Sequence, residues 1–157
     1  MLDLQFIRDQ FPALDTPWAL MDNAGGSAPC RQVIDRVRDH LERRPVQLGA
    51  SYPLSLDAGQ AVQAGRRAAA ALFGADPDEV VLGASSTVLV DQLARVLRAA
   101  WNEGDEVVVT NLDHETNIGP WRRLEETGIV VRELGFRPGS LSLHGDDLDA
   151  LLSDRTR

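Results

Sequence analysis

A histidine lying just past a run of three valines is the first place in this chain where chemistry could be done. The stretch Glu106 to Trp121, EVVVTNLDHETNIGPW, opens with Val107, Val108 and Val109 and turns polar around His114 and Asn117. A continuous apolar run of that kind reads as a strand buried on both faces, and the polar residues after it as the loop it delivers. Open α/β sheets bind their ligands just beyond the carboxyl ends of their strands, and His114 falls there. A histidine in that place sits where a cofactor would lie, and it can equally be an ordinary loop residue.

The second candidate is Gly83-Ala84-Ser85-Ser86-Thr87. A short β-branched strand is predicted over 79–82, and Val88, Leu89, Leu93, Val96 and Leu97 carry helical periodicity as far as Ala100. A strand, a glycine and then hydroxyl residues opening a helix make an anion site. The first N–H groups have no intrahelical partner, the helix dipole is positive there, and hydroxyls donate to phosphate oxygens. Capping the helix would need only one such residue, so both readings stand on these residues alone. The turn Asp22-Asn23-Ala24-Gly25-Gly26-Ser27 is a weaker signal: a tight bend, or backbone that something approaches closely. Ser51 and Tyr52, in a stretch read as a loop over 46–56, are candidates for substrate or phosphate contact.

Two features of composition limit the chemistry. All 16 basic residues are arginine, so no lysine amine is present to form a Schiff base. The single cysteine, Cys30, excludes an internal disulfide and a Cys-based metal cluster, agrees with a reducing compartment, and reads as a loop or helix-start residue.

The elements that must position these residues follow from periodicity. A short helix is predicted over 4–9. A second starts near Pro29 and runs to about Arg43, with Val33, Ile34, Val37 and Leu41 on one face. An alanine-rich helix is predicted from Asp57 to Phe73, its narrow apolar face formed by Ala61, Ala64, Ala68, Ala71 and Leu72, and Gly74 ends it. After the valine run, a helix starts at Trp121 and ends at Gly128, and a strand follows over 129–134. Then come a short strand over 141–143 and a helix from Asp146 through Leu152. Strands and helices alternating at this spacing specify a mostly parallel sheet with helices on both faces.

At 157 residues and 43% hydrophobic content the chain can bury a real core. No apolar run approaches the roughly 18 residues of a membrane span, and the acidic N-terminus does not read as a signal peptide, so no membrane partner and a cytoplasmic location are expected. A net charge of −8 with dispersed arginines argues against nucleic acid.

The segments MDNAGGSAP, SYPLS, DEVVLGASSTVLVDQLARVL and GDEVVVTNLDHETNIGPWRRL, in this order and spacing, resemble the N-terminal part of class V aminotransferase-fold enzymes, closest to the cysteine-desulfurase-like branch. The resemblance implies an incomplete large domain of the type I fold of enzymes dependent on pyridoxal 5'-phosphate (PLP), with residues 1–27 as an N-terminal segment and active-site loop and 28–157 as the start of the PLP-binding domain. It implies a homodimer acting on an amino acid through a PLP aldimine. By the same likeness, Ser85, Ser86 and Thr87 form the phosphate turn, His114 stacks over the pyridine ring, and Asn23, Ala24 and Gly25 belong to a loop that closes over substrate. Asn117 and Trp121 frame the loop and start its helix. The family's pyridine-pairing aspartate and PLP-holding lysine match nothing here, and Cys30 is misplaced for a desulfurase nucleophile. The chain is therefore expected to be an N-terminal fragment, inactive alone, with an unpaired sheet edge. The alternative is a non-catalytic α/β module that binds a phosphate ligand or a partner chain.

Overall fold

The computed structural model describes residues 2–157, and these fall into two compact units that divide between Val80 and Val81. The first unit is helical. Helix α1 spans Leu4–Asp9 and is capped by Asp3, whose carboxylate accepts the Phe6 N–H at 3.0 Å. Helix α2, Arg31–Arg43, begins two residues beyond Pro29 and ends where the sequence indicates. Its apolar stripe exists as expected, yet Val33, Ile34, Val37 and Leu41 remain exposed.

Helix α3 spans Pro53–Phe73 and starts four residues before the predicted Asp57, because Pro53 occupies the first turn, where its missing N–H costs nothing. Gly74 closes it in the left-handed conformation, as expected. The buried residues of α3 are Ser55, Ala58 and Ala70, not the predicted alanine face. Alanines occur around the whole circumference of this helix, so their spacing does not single out one side. Ser55 is held by two bonds to the preceding loop: its hydroxyl donates to the Gln47 carbonyl at 2.8 Å and accepts the Ala50 N–H at 3.0 Å.

The second unit holds the sheet. Helix α4 is Ser86–Arg98, strand β1 Glu106–Thr110, helix α5 Glu115–Arg122 and strand β2 Val130–Leu134, with a short helix α6 at Gly145–Asp149. Strands β1 and β2 pair in parallel with Glu106 opposite Val130 and Thr110 opposite Leu134. On its other side β1 takes one bridge from the C-terminal segment: the Glu106 N–H donates to the Arg155 carbonyl at 2.9 Å and the Arg157 N–H to the Glu106 carbonyl at 3.0 Å. Ala94, Val107, Leu124 and Ile129 form the buried cluster, flanked by Trp101 and Trp121, whose rings stack with centroids 6.3 Å apart.

Several sequence expectations fail around the sheet. The predicted strand over 79–82 does not form among the described residues: Glu79 closes a 3-10 turn spanning Pro77–Glu79, Val80 is extended, and no neighbouring segment supplies a hydrogen-bonding ladder to 80–82. Residues 141–143 form no strand either: Leu141 has φ +50, outside the β region, and the hydroxyls of Ser140 and Ser142 bond the local backbone instead. Helix α6 ends at Asp149, short of Leu152.

Candidate functional site

Helix α5 starts at Glu115, not at Trp121, and this moves His114 from an open loop to the cap of a helix. Asp113 prepares the position. Its Oδ1 accepts the His114 N–H at 2.7 Å and the Asn117 side-chain amide at 3.0 Å. The His114 ring then turns back over the first turn, and its Nδ1 accepts the Thr116 N–H at 3.1 Å. One of the orphan donors of the helix start is thereby satisfied by an imidazole. Gly119-Pro120 lies inside α5, where Pro120 leaves the Thr116 carbonyl without its helical donor. Glycine and proline are both poor helix-interior residues, so the pair weakens the helical signal of the stretch it occupies.

The start of α4 is built in the same manner. Ser85 is the N-cap and accepts the Val88 N–H at 3.3 Å. Ser86 is the first helical residue and Thr87 the second, both exposed. Gly83 packs against this helix start: a Cβ there would stand 2.6 Å from Leu89 Cδ2, so a side chain at 83 would make Leu89 shift.

The two helix starts meet. Thr87 Oγ1 and Thr116 Oγ1, the second residues of α4 and α5, are 3.2 Å apart. Below this contact Arg123 bonds Asp91 of α4 at 2.6 Å, and the Asp91 carboxyl is held below the ordinary carboxylate range by that bond and by Arg95. The hydroxyls of Ser85, Ser86 and Thr87 and the imidazole of His114 therefore lie on adjacent helix N-termini, each carrying the positive end of its dipole. Sequence reasoning missed Asp113 and Thr116, which hold this arrangement; the signal available was an Asp-His pair directly before Glu115, the pattern of a helix start.

Asn23, Ala24 and Gly25 lie in the first unit as an exposed turn closed by Asp22, whose Oδ1 accepts the Gly25 N–H at 3.0 Å. A Cβ at Gly25 would fall 2.5 Å from Asp22 Oδ2, so a side chain there would displace the carboxylate that closes the turn. Ser51 is exposed in the loop, and Tyr52 serves as the N-cap residue of α3 without a side-chain capping bond. Cys30 is the residue before α2, as expected of a helix-start cysteine. No group of three or more metal-ligating side chains occurs among the described residues. No helix among them is long and apolar enough to cross a membrane.

Comparison with known proteins agrees with this arrangement of elements. Residues 19–157 match the family model described as aminotransferase class-V. An aminotransferase-like protein of Gibberella zeae is 35% identical over 98% of this chain, which spans 39% of that relative. Among solved structures, the apo cysteine desulfurase of Thermococcus onnurineus superposes with a TM-score of 0.84 at 20% identity, covering 96% of this chain and 38% of that one. A C-DES variant with glycine covalently linked to its PLP cofactor gives a TM-score of 0.76 at 21% identity, covering 96% and 39%. The fold is that of the large domain of these enzymes, and the chain spans about two fifths of each of these proteins.

Proposed function

Because the chain belongs to the aminotransferase class V family, we propose that it forms the phosphate end and one ring face of a PLP site in a cysteine-desulfurase-like enzyme acting on an amino acid. The observation that carries this reading is the contact between Thr87 and Thr116, which sets the hydroxyl turn of α4 beside the histidine of α5. The donor set fits a phosphate ester attached to an aromatic ring. Ser86 and Thr87 offer hydroxyls and α4 offers unpaired N–H groups for the phosphate oxygens, while the exposed His114 imidazole offers a flat face for the ring. PLP, when bound, supplies an electron sink for breaking bonds at or next to the α-carbon of an amino acid.

In this proposal Ser85 keeps the turn capped, Ser86 and Thr87 orient the phosphate, and His114 covers the ring and excludes water from that face. Asn23, Ala24 and Gly25 belong to the loop that closes over substrate, and the division into residues 1–27 and 28–157 follows from that role. The chain has no lysine, so a covalent anchor for PLP must come from outside these 157 residues. On this reading the chain is a fragment, inactive alone, of a cytoplasmic homodimeric enzyme.

Titration of the purified chain with PLP, followed by cofactor fluorescence, tests the proposal. Saturable binding is expected, weakened by Ser86→Ala combined with Thr87→Ala and unaccompanied by turnover of any amino acid. Binding that ignores the double variant would remove the phosphate turn from the proposal, and turnover by the chain alone would overturn its inactivity.

A further inference from the structure

His114 is fixed by more than its place in the sequence. Its Nδ1 faces the Thr116 N–H at 3.1 Å. A backbone N–H can only donate, so Nδ1 meets it with a lone pair, and the proton of the neutral ring resides on Nε2. The Thr116 hydroxyl reaches the other way, to Thr87 at 3.2 Å. One residue thus grips the imidazole through its backbone and the hydroxyl turn through its side chain, while Asp113 fixes the His114 backbone from the other side.

We infer that Thr116 is the positioning residue of this site: it locks His114 as the Nε2–H tautomer and couples that ring to the phosphate turn, so that an imidazole stacked on a bound ring presents a donor at its edge, toward groups beside that ring. The inference rests on the functional reading given above. In this state Nε2–H is a hydrogen-bond donor. The neutral ring could accept a proton only at Nδ1, and doing so would break the cap of α5.

Long-range proton–nitrogen correlation of the imidazole rings in the uniformly labelled 157-residue chain tests this directly, with His114 assigned by its loss in His114→Gln. The expected spectrum shows Nδ1 of His114 as an unprotonated ring nitrogen and Nε2 as a protonated one, with the minor tautomer of free imidazole absent. Thr116→Pro removes the N–H at a helix position that tolerates proline, and should restore the tautomer mixture. Thr116→Val keeps the N–H and should retain the single tautomer while losing the link to Thr87, so it serves as the reference if the proline variant does not fold. A tautomer mixture in the unmodified chain, or a single tautomer unaffected by Thr116→Pro, overturns the lock. Adding PLP separates this inference from the reading beneath it. If PLP shifts the Ser86 and Thr87 amides but leaves the His114 Nε2 signal unmoved, the donor role is wrong and the phosphate turn stands. If it shifts neither, the site itself is wrong, and the role assigned to Thr116 in it falls too.

Discussion

Ser85 and Ser86 are adjacent, identical in chemistry and both exposed, yet the structure gives them different work, and a pair of alanine variants separates the two. The Ser85 hydroxyl accepts the Val88 N–H at 3.3 Å, a long capping bond. Its removal should therefore cost the lower part of the usual range for a cap, about 0.5–1 kcal/mol. In a chain of this size that is a fall in Tm of roughly 1–4 °C. The Ser86 hydroxyl has no hydrogen-bond partner among the described residues. Alanine is the better helix former by up to roughly 0.5 kcal/mol, so Ser86→Ala should leave Tm unchanged or slightly higher. If that hydroxyl donates to a phosphate, its loss removes a hydrogen bond to a charged group, worth about 1.5–3 kcal/mol. Solvent exposure puts the effect at the low end, which is roughly tenfold in Kd for PLP. Thermal unfolding and PLP titration of the two single variants supply the four numbers. Equal losses of stability in both variants, or a Ser86→Ala affinity within about twofold of the unmodified chain, would refute the division of labour.

Three further outcomes follow. Leu124→Ala empties the centre of the cluster formed with Ala94, Val107 and Ile129 and should lower unfolding free energy by about 3 kcal/mol in urea; a loss under about 1 kcal/mol would mean that the cluster is not the core. The Asp105 carboxyl is held below its ordinary range by the Asn102 N–H and by Arg157, and Glu106 below its own by Arg132 and Ser153. Both bind a proton more weakly folded than unfolded, so their stabilisation is present above the ordinary carboxylate range and is lost as pH falls through the lowered native values. Fluorescence of Trp101 and Trp121 should therefore report acid unfolding below about pH 4, with a shallower dependence in Asp105→Asn with Glu106→Gln. An unchanged acid profile in that double variant would assign the transition to other carboxylates. Lastly, borohydride treatment with PLP should label only the α-amino group, because no side chain carries a primary amine; a side-chain adduct found by mass spectrometry of peptides would contradict this.

The sequence carries the second unit well where burial is strong and local. Val107 to Val109 read as a strand because a short β-branched run bounded by Gly104-Asp105 and a polar loop fits one, and Gly128 ends its element as expected. The hydroxyl turn was legible as a helix start, but its partner was not. Nothing in the spacing of Thr87 and Thr116 says that the two helix starts touch, since that contact depends on how α4 and α5 pack. His114 was legible as a residue past a strand and not as a cap: Gly119 and Pro120 lie inside the helix that follows it and weaken its periodic signal. The predicted strand over 79–82 has the right residue types and lacks a ladder, and a ladder is a property of two segments that no single stretch can reveal.

The bridge between Glu106 and the C-terminal segment also sets an order of assembly. Strand β1 meets β2 by closing the loop that contains α5, whereas Thr156 is reached only by closing a loop about twice as long. In chain-closure terms that doubling costs only about 0.6 kcal/mol, so the longer contact is not forbidden; it is merely later. It also docks on a strand edge that exists only once β1 is in place. Residues 153–157 should accordingly join after the β1–α5–β2 unit has formed, and be the first part of that unit to leave when it unfolds.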